Sequence, residues 1–294
     1  MIKLVLSDLD DTIIPFGAPR ASARALKDIR ALQVAGVHFA PVTGRVPAAM
    51  SWMFGDDETC YATGAFANGQ VVRVDGRTVK WVAIESELLQ QVVDVLDGEC
   101  LNVWLALYGL TDPAHVSLVS PHPDRLLANP PDAWDGHTQC ILPRVPTGSY
   151  VKANLQCSCS RQEMTKVRDL LRLRVPELGF VMPSLVARVI DVSALGWSKA
   201  DAVLLIAHEL GIDPTEACAF GDSENDLSMI RALPNSVAVA NADESVQQAA
   251  AWHIGLSRDD AVAQAFEDIL AANAEGRRPS FMSKDFNMSE ALLA

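Results

Sequence analysis

Short apolar segments that end in polar residues recur near both ends of the chain, and they constrain the fold most. Residues 2–7 (IKLVLS) and 37–42 (VHFAPV) have the continuous apolar character of strands buried on both faces. Residues 20–35, which carry apolar side chains at helical spacing, separate them. Strands that alternate with helices predict a parallel sheet with right-handed crossovers, so we predict an α/β fold with a Rossmann-like core.

The alternation stops in the middle of the chain. Residues 85–97 are predicted as a helix, the segments LNVWLALYG and AHVSLVS as strands, and residues 119–149 as a long proline-rich loop. A strand, an amphipathic helix and a further strand (LVARVIDVS) follow, and the alternating pattern returns near Trp197. This middle block is α+β in character.

The sequence therefore predicts one α/β domain that is interrupted by another. The predicted parts are a core of residues 1–82 and 188–275, an inserted α+β cap domain of residues 83–187, and a tail of residues 276–294. We expect the cap to close over a substrate, to exclude water and to select the leaving group.

Composition excludes several classes of function. Lysine and arginine number 24 and aspartate and glutamate 37, which gives a net charge of −13. Such a surface repels nucleic acid and anionic lipid, so we expect neither as a partner. No apolar run approaches the ~18 residues of a membrane span, and the first residues lack the features of a signal peptide. We expect a cytoplasmic protein that is a monomer or a homodimer.

The cysteines show no spacing typical of a zinc site. Two of them, Cys157 and Cys159, form a C-x-C pair. In a cytoplasmic chain, cysteines with this distribution are expected to be buried free thiols.

Polar residues suited to phosphate chemistry follow the predicted strands. Because the carboxyl ends of parallel strands meet at one edge of a sheet, such residues should share one crevice. They are Asp8 and Asp10 after the first strand, Thr43 and Gly44 after the second, Lys199 at a helix start, and Asp222, Asn225 and Asp226 after a later strand.

These residue types fit phosphoryl transfer. Asp8 and Asp222 would form a hard oxygen site for Mg²⁺, which removes the repulsion between acids and a phosphate. One carboxylate can attack phosphorus and form an aspartyl-phosphate, and a second can protonate the leaving alcohol and later activate water. Thr43, the Gly44 amide and Lys199 would hold the phosphoryl oxygens.

Four segments in this order resemble the sequence motifs of the haloacid dehalogenase (HAD) superfamily. They are DLDDT, VTGR, Lys199 within GWSKADAV, and GDSENDLSMI. The later segment VAVANADESVQQAA is similar to the corresponding part of the Cof-type phosphatases in that superfamily. The resemblance covers about residues 1–80 and 187–272, and the insertion is similar to the large α/β cap of the Cof-type branch. It implies a HAD-like core and a Mg²⁺-dependent phosphatase.

The resemblance also implies a role for each matching residue. Asp8 would be the nucleophile and Asp10 the general acid/base. Mg²⁺ would be held by the Asp8 carboxylate, the Asp10 backbone carbonyl and the Asp222 carboxylate. Asp226 would support the waters of the metal or orient Lys199. The residues in contact with the phosphoryl group would be Thr43, Gly44, Lys199 and Asn225.

Three further residues lie within or beside these motifs. Asp11 departs from the glycine more usual at its position, and we expect it to face away from the metal and to be replaceable. Arg45 would either reach the substrate or pair with an acid. Asn68, in FANGQ, is expected to serve a turn.

The main hypothesis is a phosphomonoesterase that acts on a small phosphorylated metabolite, with sugar phosphates as the expected class. A phosphomutase or phosphotransferase would use the same aspartyl-phosphate. A receiver-like phospho-acceptor signalling domain also uses clustered acids, but its acceptor ends a middle strand and it lacks a large insertion. A catalytically silent scaffold is the third alternative, and the complete set of acids argues against it.

Overall fold

The chain folds into two compact units. The computed structural model describes residues 1–99, 101–109, 116–131, 140–183 and 187–283. The core unit consists of Met1–Arg45, Ala49–Lys80 and the chain from Ser198 onward. The inserted unit consists of Val46–Ala48 and Trp81–Trp197.

The secondary structure alternates in the core unit and is mixed in the inserted unit. In chain order the strands are β1 (Leu4–Ser7), β2 (His38–Pro41), β3 (Gly64–Phe66), β4 (Val71–Val74), β5 (Arg77–Trp81), β6 (Ile84–Glu85), β7 (Val103–Tyr108), β8 (Val116–Val119), β9 (Cys140–Leu142), β10 (Ser149–Tyr150), β11 (Ala153–Cys157), β12 (Leu178–Val181), β13 (Val189–Ala194), β14 (Ala217–Gly221), β15 (Ser236–Ala238) and β16 (Trp252–His253). The helices are α1 (Ala23–Val34), α2 (Met50–Met53), α3 (Ser86–Gly98), α4 (Pro123–Ala128), α5 (Arg161–Arg174), α6 (Lys199–Glu209), α7 (Leu227–Ala232), α8 (Glu244–Ala249) and α9 (Ala261–Glu275). Within the described ranges, none of these helices combines the length and the apolar character needed to cross a bilayer.

A parallel sheet forms the centre of the core unit, as predicted. Its strand order is β16-β15-β14-β1-β2, and every neighbouring pair is parallel. β1 is buried along its whole length and lies between β14 and β2. Ser7 pairs with Phe220 on one side and with Pro41 on the other. The residues that follow these three strands therefore meet at one edge of the sheet.

Aromatic packing holds the last long helix of the core unit on this sheet. The ring of Phe266, in α9, meets Phe39 of β2 and Phe220 of β14 edge to face, at centroid distances of 5.8 and 5.7 Å. Such pairs add to the free energy gained from burying the rings. The tail continues this contact, because Phe281 is buried with its ring 6.2 Å from that of Phe220. Of the predicted tail, residues 284–294 lie outside the described residues.

Local sequence signals set the ends of several elements. α1 begins after Ser22, whose side chain accepts a hydrogen bond from the Ala25 amide. The turn between β4 and β5 has Asp75 and Gly76 in the left-handed region, at φ 50° and 76°. An Asp-Gly pair of this kind is typical of a two-residue hairpin, which is what the sequence predicts there.

The inserted unit is built on a second sheet, with strand order β12-β13-β11-β7-β8-β9. Its neighbouring strands are antiparallel except for the parallel pair β8 and β9. α3 and α5 share one buried apolar cluster with alternate strand residues, such as Leu155 of β11. Asn154 and Gln156 point to the opposite face, because side chains alternate along a strand. Near them, Lys152 Nζ lies 2.6 Å from Asp191 Oδ1, and both side chains are almost fully buried.

The inserted unit extends further than the sequence predicts. The predicted boundary is residue 187, but this unit continues to Trp197 because β13 pairs with β11 and β12. A short buried strand has the same apolar pattern in either sheet, so its sequence does not reveal its neighbours.

The proline-rich segment predicted as a loop also contains regular structure. It includes α4 and β9, and β10 begins at its last residue. Pro123 occupies the first turn of α4, where the missing N–H group leaves no helical hydrogen bond unmade. Residues 132–139 of the segment lie outside the described residues.

Candidate active site

A buried lysine joins two carboxylates at the edge of the core sheet. Asp8 directly follows β1, Lys199 is the first residue of α6, and Asp226 lies in the turn between β14 and α7. Lys199 Nζ donates to Asp8 Oδ1 at 2.7 Å and to Asp226 Oδ1 at 2.6 Å. All three side chains are almost completely buried. These hydrogen bonds therefore connect three segments that are far apart in the sequence.

A third buried carboxylate lies beside them. Asp222 follows β14, and its Oδ1 accepts a hydrogen bond of 2.8 Å from the hydroxyl of Thr12. One carboxylate oxygen from each of Asp8, Asp222 and Asp226 lies within 4.8 Å of the other two. Carboxylate oxygens are the ligands that Mg²⁺ prefers, so a single cation could contact more than one of these acids.

The turn after β14 fixes the position of Asp226. Its Oδ2 accepts the backbone amides of Asp222 and Ser223, at 3.0 and 3.1 Å. Gly221 permits this approach, since a Cβ atom there would lie 2.8 Å from Cβ and Cγ of Asp226. With Oδ1 bound to Lys199, both carboxylate oxygens of Asp226 have protein donors. This arrangement suits a residue that positions its neighbours.

The buried charges do not balance. Three carboxylates share a single lysine among the described residues of this cluster. Burial, and then repulsion from Asp226, raise the pKa of both Asp8 and Asp222 well above the ordinary range for aspartate. Burial alone would lower the pKa of Lys199, but the carboxylates of Asp226 and Asp8 raise it above its ordinary value. A bound divalent cation would offset the excess negative charge, so the donor set fits a metal ion.

Asp10 is held outside this buried cluster. Its carboxylate makes a two-point ion pair with Arg45, in which Nε lies 2.9 Å from Oδ2 and Nη2 lies 2.8 Å from Oδ1. Both side chains are about half exposed. Of the two alternatives for Arg45, the structure shows the pair with an acid.

The segment after β2 contributes a buried hydroxyl. Thr43 is completely buried, and its Oγ1 accepts the Arg45 amide at 3.1 Å. Gly44 lies between these two residues, so the chain turns where β2 ends. The Thr43 carbonyl accepts the amide of Asn68 at 2.9 Å, which brings the loop after β3 to the same edge.

Asn68 contacts the predicted site residue Asn225, whereas the sequence indicated only a turn there. Its side-chain oxygen accepts a hydrogen bond of 3.2 Å from Asn225 Nδ2, and Ser223 donates to the side-chain oxygen of Asn225 at 3.0 Å. Asn68 has φ 58°, so it also serves a turn as expected. The next residue, Gly69, lies close to the start of α6. A Cβ atom on residue 69 would lie 2.9 Å from the Ser198 carbonyl oxygen, so glycine allows the loop to pack there. The only sequence signal was the Asn-Gly pair, which is typical of turns in general.

Comparison with known proteins assigns the family. The model of the haloacid dehalogenase-like hydrolases matches residues 5–112 and 160–266, which is most of the chain. The chain belongs to the haloacid dehalogenase-like hydrolases. The predicted membership of the HAD superfamily is thereby confirmed, and the protein is an enzyme of the hydrolase class.

Individual HAD relatives are similar over nearly their full lengths. A phosphoglycolate phosphatase of Methanoculleus marisnigri is 26% identical over 86% of this chain and 90% of its own. A HAD subclass IIB sugar phosphatase of known structure superposes with a TM-score of 0.70, at 18% identity, over 93% of this chain and 99% of its own. A HAD/COF-like hydrolase from Plasmodium vivax gives a TM-score of 0.76, at 19% identity, over 92% and 96%. The two structures confirm the fold class, an α/β core with a cap domain.

The segment that resembles Cof-type HAD phosphatases is hydrogen-bonded to the turns that carry the acidic cluster. Asn241 Nδ2 donates to the Asp11 carbonyl at 2.8 Å, and the Asp243 amide donates to the Asp222 carbonyl at 2.7 Å. These hydrogen bonds tie the loop after β15 to the turns that follow β1 and β14. The segment thus holds the backbone of two of the predicted HAD motifs, DLDDT and GDSENDLSMI.

The backbone at position 11 has a conformation that suits glycine. Asp11 has φ 62°, in the left-handed region that glycine adopts without strain and that aspartate tolerates better than most residues. Its amide donates to the Ile14 carbonyl at 2.8 Å and closes a tight turn. Asp11 is absent from the buried carboxylate group formed by Asp8, Asp222 and Asp226.

Proposed function

We propose that this protein is a Mg²⁺-dependent phosphomonoesterase that hydrolyses a small phosphorylated metabolite in the cytoplasm, with sugar phosphates as the expected class. The observation that carries the proposal is the group of buried carboxylates around Lys199 at the carboxyl edge of the parallel sheet. The names of the phosphoglycolate phosphatase and the sugar phosphatase described above support a phosphate ester as substrate.

Asp8 is the proposed nucleophile. It directly follows the buried strand β1, so its carboxylate is held rigidly, and its Oδ1 is fixed by Lys199. Attack of an Asp8 oxygen on phosphorus would form an aspartyl-phosphate and release the alcohol of the substrate. When bound, Mg²⁺ would neutralise the charge between the acids and the phosphoryl oxygens.

The proposed ligands of the metal are the carboxylates of Asp8 and Asp222 and the backbone carbonyl of Asp10. Thr12 orients the Asp222 carboxylate through its hydroxyl. Asp226 supports the site by holding Lys199 and the turn after β14, because both of its oxygens have protein donors.

Asp10 is the proposed general acid and base. Its half-exposed carboxyl group would, in the protonated form, give a proton to the leaving alcohol, and the resulting carboxylate would then take one from the water that attacks the aspartyl-phosphate. Arg45 fixes the direction of this carboxylate by its two-point ion pair.

The phosphoryl group would be held by residues from three segments. Thr43 and Gly44 would donate from the turn after β2, Lys199 from the start of α6, and Asn225 from the turn after β14. Donors that are already fixed need little reorganisation when charge develops on the phosphoryl oxygens. The hydrogen bond to Asn68 holds the Asn225 side chain in place.

A phosphate-release screen tests this proposal. The purified protein is incubated with a panel of sugar phosphates and phosphoglycolate, in Mg²⁺ or in chelator, beside an Asp8→Asn variant. We expect free phosphate from at least one ester only with Mg²⁺ and an intact Asp8. Equal rates in chelator would contradict the metal site, and an isomerised sugar phosphate without free phosphate would favour the mutase.

A further inference from the structure

The loop after β15 carries an asparagine whose side chain joins two other segments of the core unit. Asn241 Nδ2 donates to the Asp11 carbonyl at 2.8 Å, and its Oδ1 accepts the backbone amide of Ser257 at 2.9 Å. A carbonyl oxygen can only accept and a backbone amide can only donate, so these partners fix which end of the side-chain amide meets each of them. Asn241 is therefore held in one orientation beside the turn that follows β1.

This turn contains one of the proposed metal ligands. The Leu9 carbonyl accepts the Ile14 amide at 2.8 Å, and the Asp11 carbonyl accepts the side chain of Asn241. The Asp10 carbonyl, which lies between these two along the chain, accepts none of the hydrogen bonds described for the turn. Its oxygen is thus available to a cation while the carbonyls on either side are occupied.

Asp11 is the residue of this turn whose backbone needs support. Its φ of 62° lies in the left-handed region, which is less favourable for aspartate than the right-handed region. Two hydrogen bonds hold it there, one from its amide to the Ile14 carbonyl and one from Asn241 to its carbonyl. Rotation about the N–Cα bond of Asp11 would turn the peptide plane that contains the Asp10 carbonyl. Loss of the hydrogen bond from Asn241 would therefore displace that oxygen.

The same loop also holds the turn that carries Asp222. The Asp243 amide donates to the Asp222 carbonyl at 2.7 Å. The loop after β15 is thus hydrogen-bonded to both turns that supply the proposed ligands, the one after β1 and the one after β14. Partners of this kind, which do not touch a metal themselves, orient the groups that do.

We propose that Asn241 is a positioning residue for Mg²⁺ binding. It holds the Asp11 backbone in the left-handed conformation and thereby places the Asp10 carbonyl. That oxygen can then bind the cation together with the carboxylates of Asp8 and Asp222. The proposal rests on the proposed function, from which it takes the ligands of the metal. It adds that a residue outside the ligand set determines how tightly the metal is bound.

Asn273 provides a matched control on the other side of β1. Its Nδ2 donates to the Ile2 carbonyl at 2.7 Å, and its Oδ1 accepts the Ile2 amide at 3.1 Å. Like Asn241, it uses both ends of its side-chain amide to hold backbone groups. Ile2 precedes β1, whereas the acidic cluster follows it, so Asn273 acts at the opposite end of the strand. Loss of its hydrogen bonds should affect stability without affecting the metal site.

Calorimetric titration of Mg²⁺ into the metal-free, full-length protein tests the proposal. The wild type is compared with Asn241→Ala and Asn273→Ala, and urea unfolding establishes that each variant is folded. We expect the dissociation constant for Mg²⁺ to rise roughly tenfold in Asn241→Ala. In Asn273→Ala it should stay at the wild-type value. An unchanged constant in Asn241→Ala, or an equal rise in both variants, would overturn the proposal.

A second measurement needs no variant, so it does not depend on whether Asn241→Ala folds. If Asn241 favours Mg²⁺ binding, bound Mg²⁺ must in turn stabilise the contacts of Asn241. Hydrogen exchange of the wild type, followed by NMR, should therefore slow at the Ser257 amide when Mg²⁺ is added. The Ile2 amide, which donates to Asn273, is the control and should slow less. No slowing at Ser257, or equal slowing at both amides, would overturn the proposal.

Phosphate release by the wild type distinguishes this proposal from the proposed function. Release that requires Mg²⁺, together with an unchanged dissociation constant in Asn241→Ala, would overturn the role of Asn241 alone. A wild type that neither binds Mg²⁺ nor releases phosphate would overturn both. With both correct, the turnover that Asn241→Ala loses at limiting Mg²⁺ should largely return as Mg²⁺ is raised, because the affinity for the metal is the quantity that changes.

Discussion

Buried charges are compensated in the inserted unit but not in the core unit. In the inserted unit the ammonium group of Lys152 meets the carboxylate of Asp191 at 2.6 Å, inside a well-packed sheet. In the core unit the single ammonium group of Lys199 lies among three buried carboxylates, Asp8, Asp222 and Asp226. The first arrangement joins opposite charges, and the second leaves negative charge in excess.

This difference distinguishes a structural ion pair from a reactive site. A buried charge is costly unless an opposite charge or hydrogen bonds compensate it, so a fold gains nothing from surplus buried acids. Groups whose pKa values are shifted by burial and by like charges are typical of functional sites. On the proposed function, a bound cation would compensate the excess in the core unit, while the pair in the inserted unit needs no further charge.

The largest expected effect concerns Asp8. An Asp8→Asn variant should lose phosphate release by a factor of roughly 10⁴ or more, since an amide cannot form the aspartyl-phosphate. Its free energy of unfolding should not fall, because asparagine still accepts from Lys199 and one repelling charge is gone. Steady-state phosphate release and urea unfolding measure both quantities. Undiminished turnover in this variant would contradict the mechanism.

The matching change in the inserted unit should act on stability. Asp191→Asn leaves the Lys152 charge buried without its carboxylate, and the free energy of unfolding should fall by about 3 kcal/mol. A Lys152→Met, Asp191→Leu double variant is the control and should recover most of that loss, because neither charge remains. Urea unfolding checks both variants. A single variant as stable as the wild type would show that this pair is not structural.

A third test uses pH and Mg²⁺. Folding raises the pKa of Asp8 and Asp222, so the folded metal-free protein binds more protons than the unfolded chain. Their contribution to stability is present below the ordinary carboxyl pKa and is lost as the pH rises through the raised values. Mg²⁺ should restore about 2.7 kcal/mol at a hundredfold excess over its dissociation constant.

Thermal unfolding in chelator and in Mg²⁺, at several pH values, measures this effect. The gain from Mg²⁺ should be greater at pH 7 than at pH 5, because protons compete with the cation for these carboxylates. An Asp222→Asn variant should show a smaller gain. A gain that is the same at both pH values, or the same in the variant, would argue against metal binding by these acids.

The smallest expected effect is at Asp11, beside the acidic cluster but outside it. Asp11→Gly should keep turnover and change the free energy of unfolding by less than about 1 kcal/mol, because glycine adopts φ 62° without strain. Asp11→Val is the contrasting variant, and it should lose about 1–2 kcal/mol at this backbone angle. Urea unfolding of both variants distinguishes backbone strain from a role of the side chain. Loss of turnover in Asp11→Gly would place Asp11 in the chemistry.

The parallel core could be predicted from the sequence because its signals are local and repeated. The buried run before Asp8 and the apolar strand before Asp222 show in the residues themselves, and parallel pairing brings their ends together. The side-chain partners could not be predicted in the same way. The contacts of Arg45 with Asp10 and of Asn68 with Asn225 depend on how separate loops pack.

The boundary of the inserted unit shows the same limit. β13 has the apolar pattern of a core strand, but it pairs with β11 and β12. Pairing between distant strands is a long-range property, and the pattern within one strand carries little information about it. The proline-rich segment is a second example, because α4 is short and its sequence resembles a loop.

The most direct test of the excess negative charge in the core unit is calorimetric titration of Mg²⁺ into the metal-free protein. The wild type should bind one ion, and the Asp222→Asn variant should bind it far more weakly. The Asp191→Asn variant should bind as the wild type does, because its change lies in the inserted unit. Equal binding by the wild type and the Asp222→Asn variant, or no binding by either, would contradict the account.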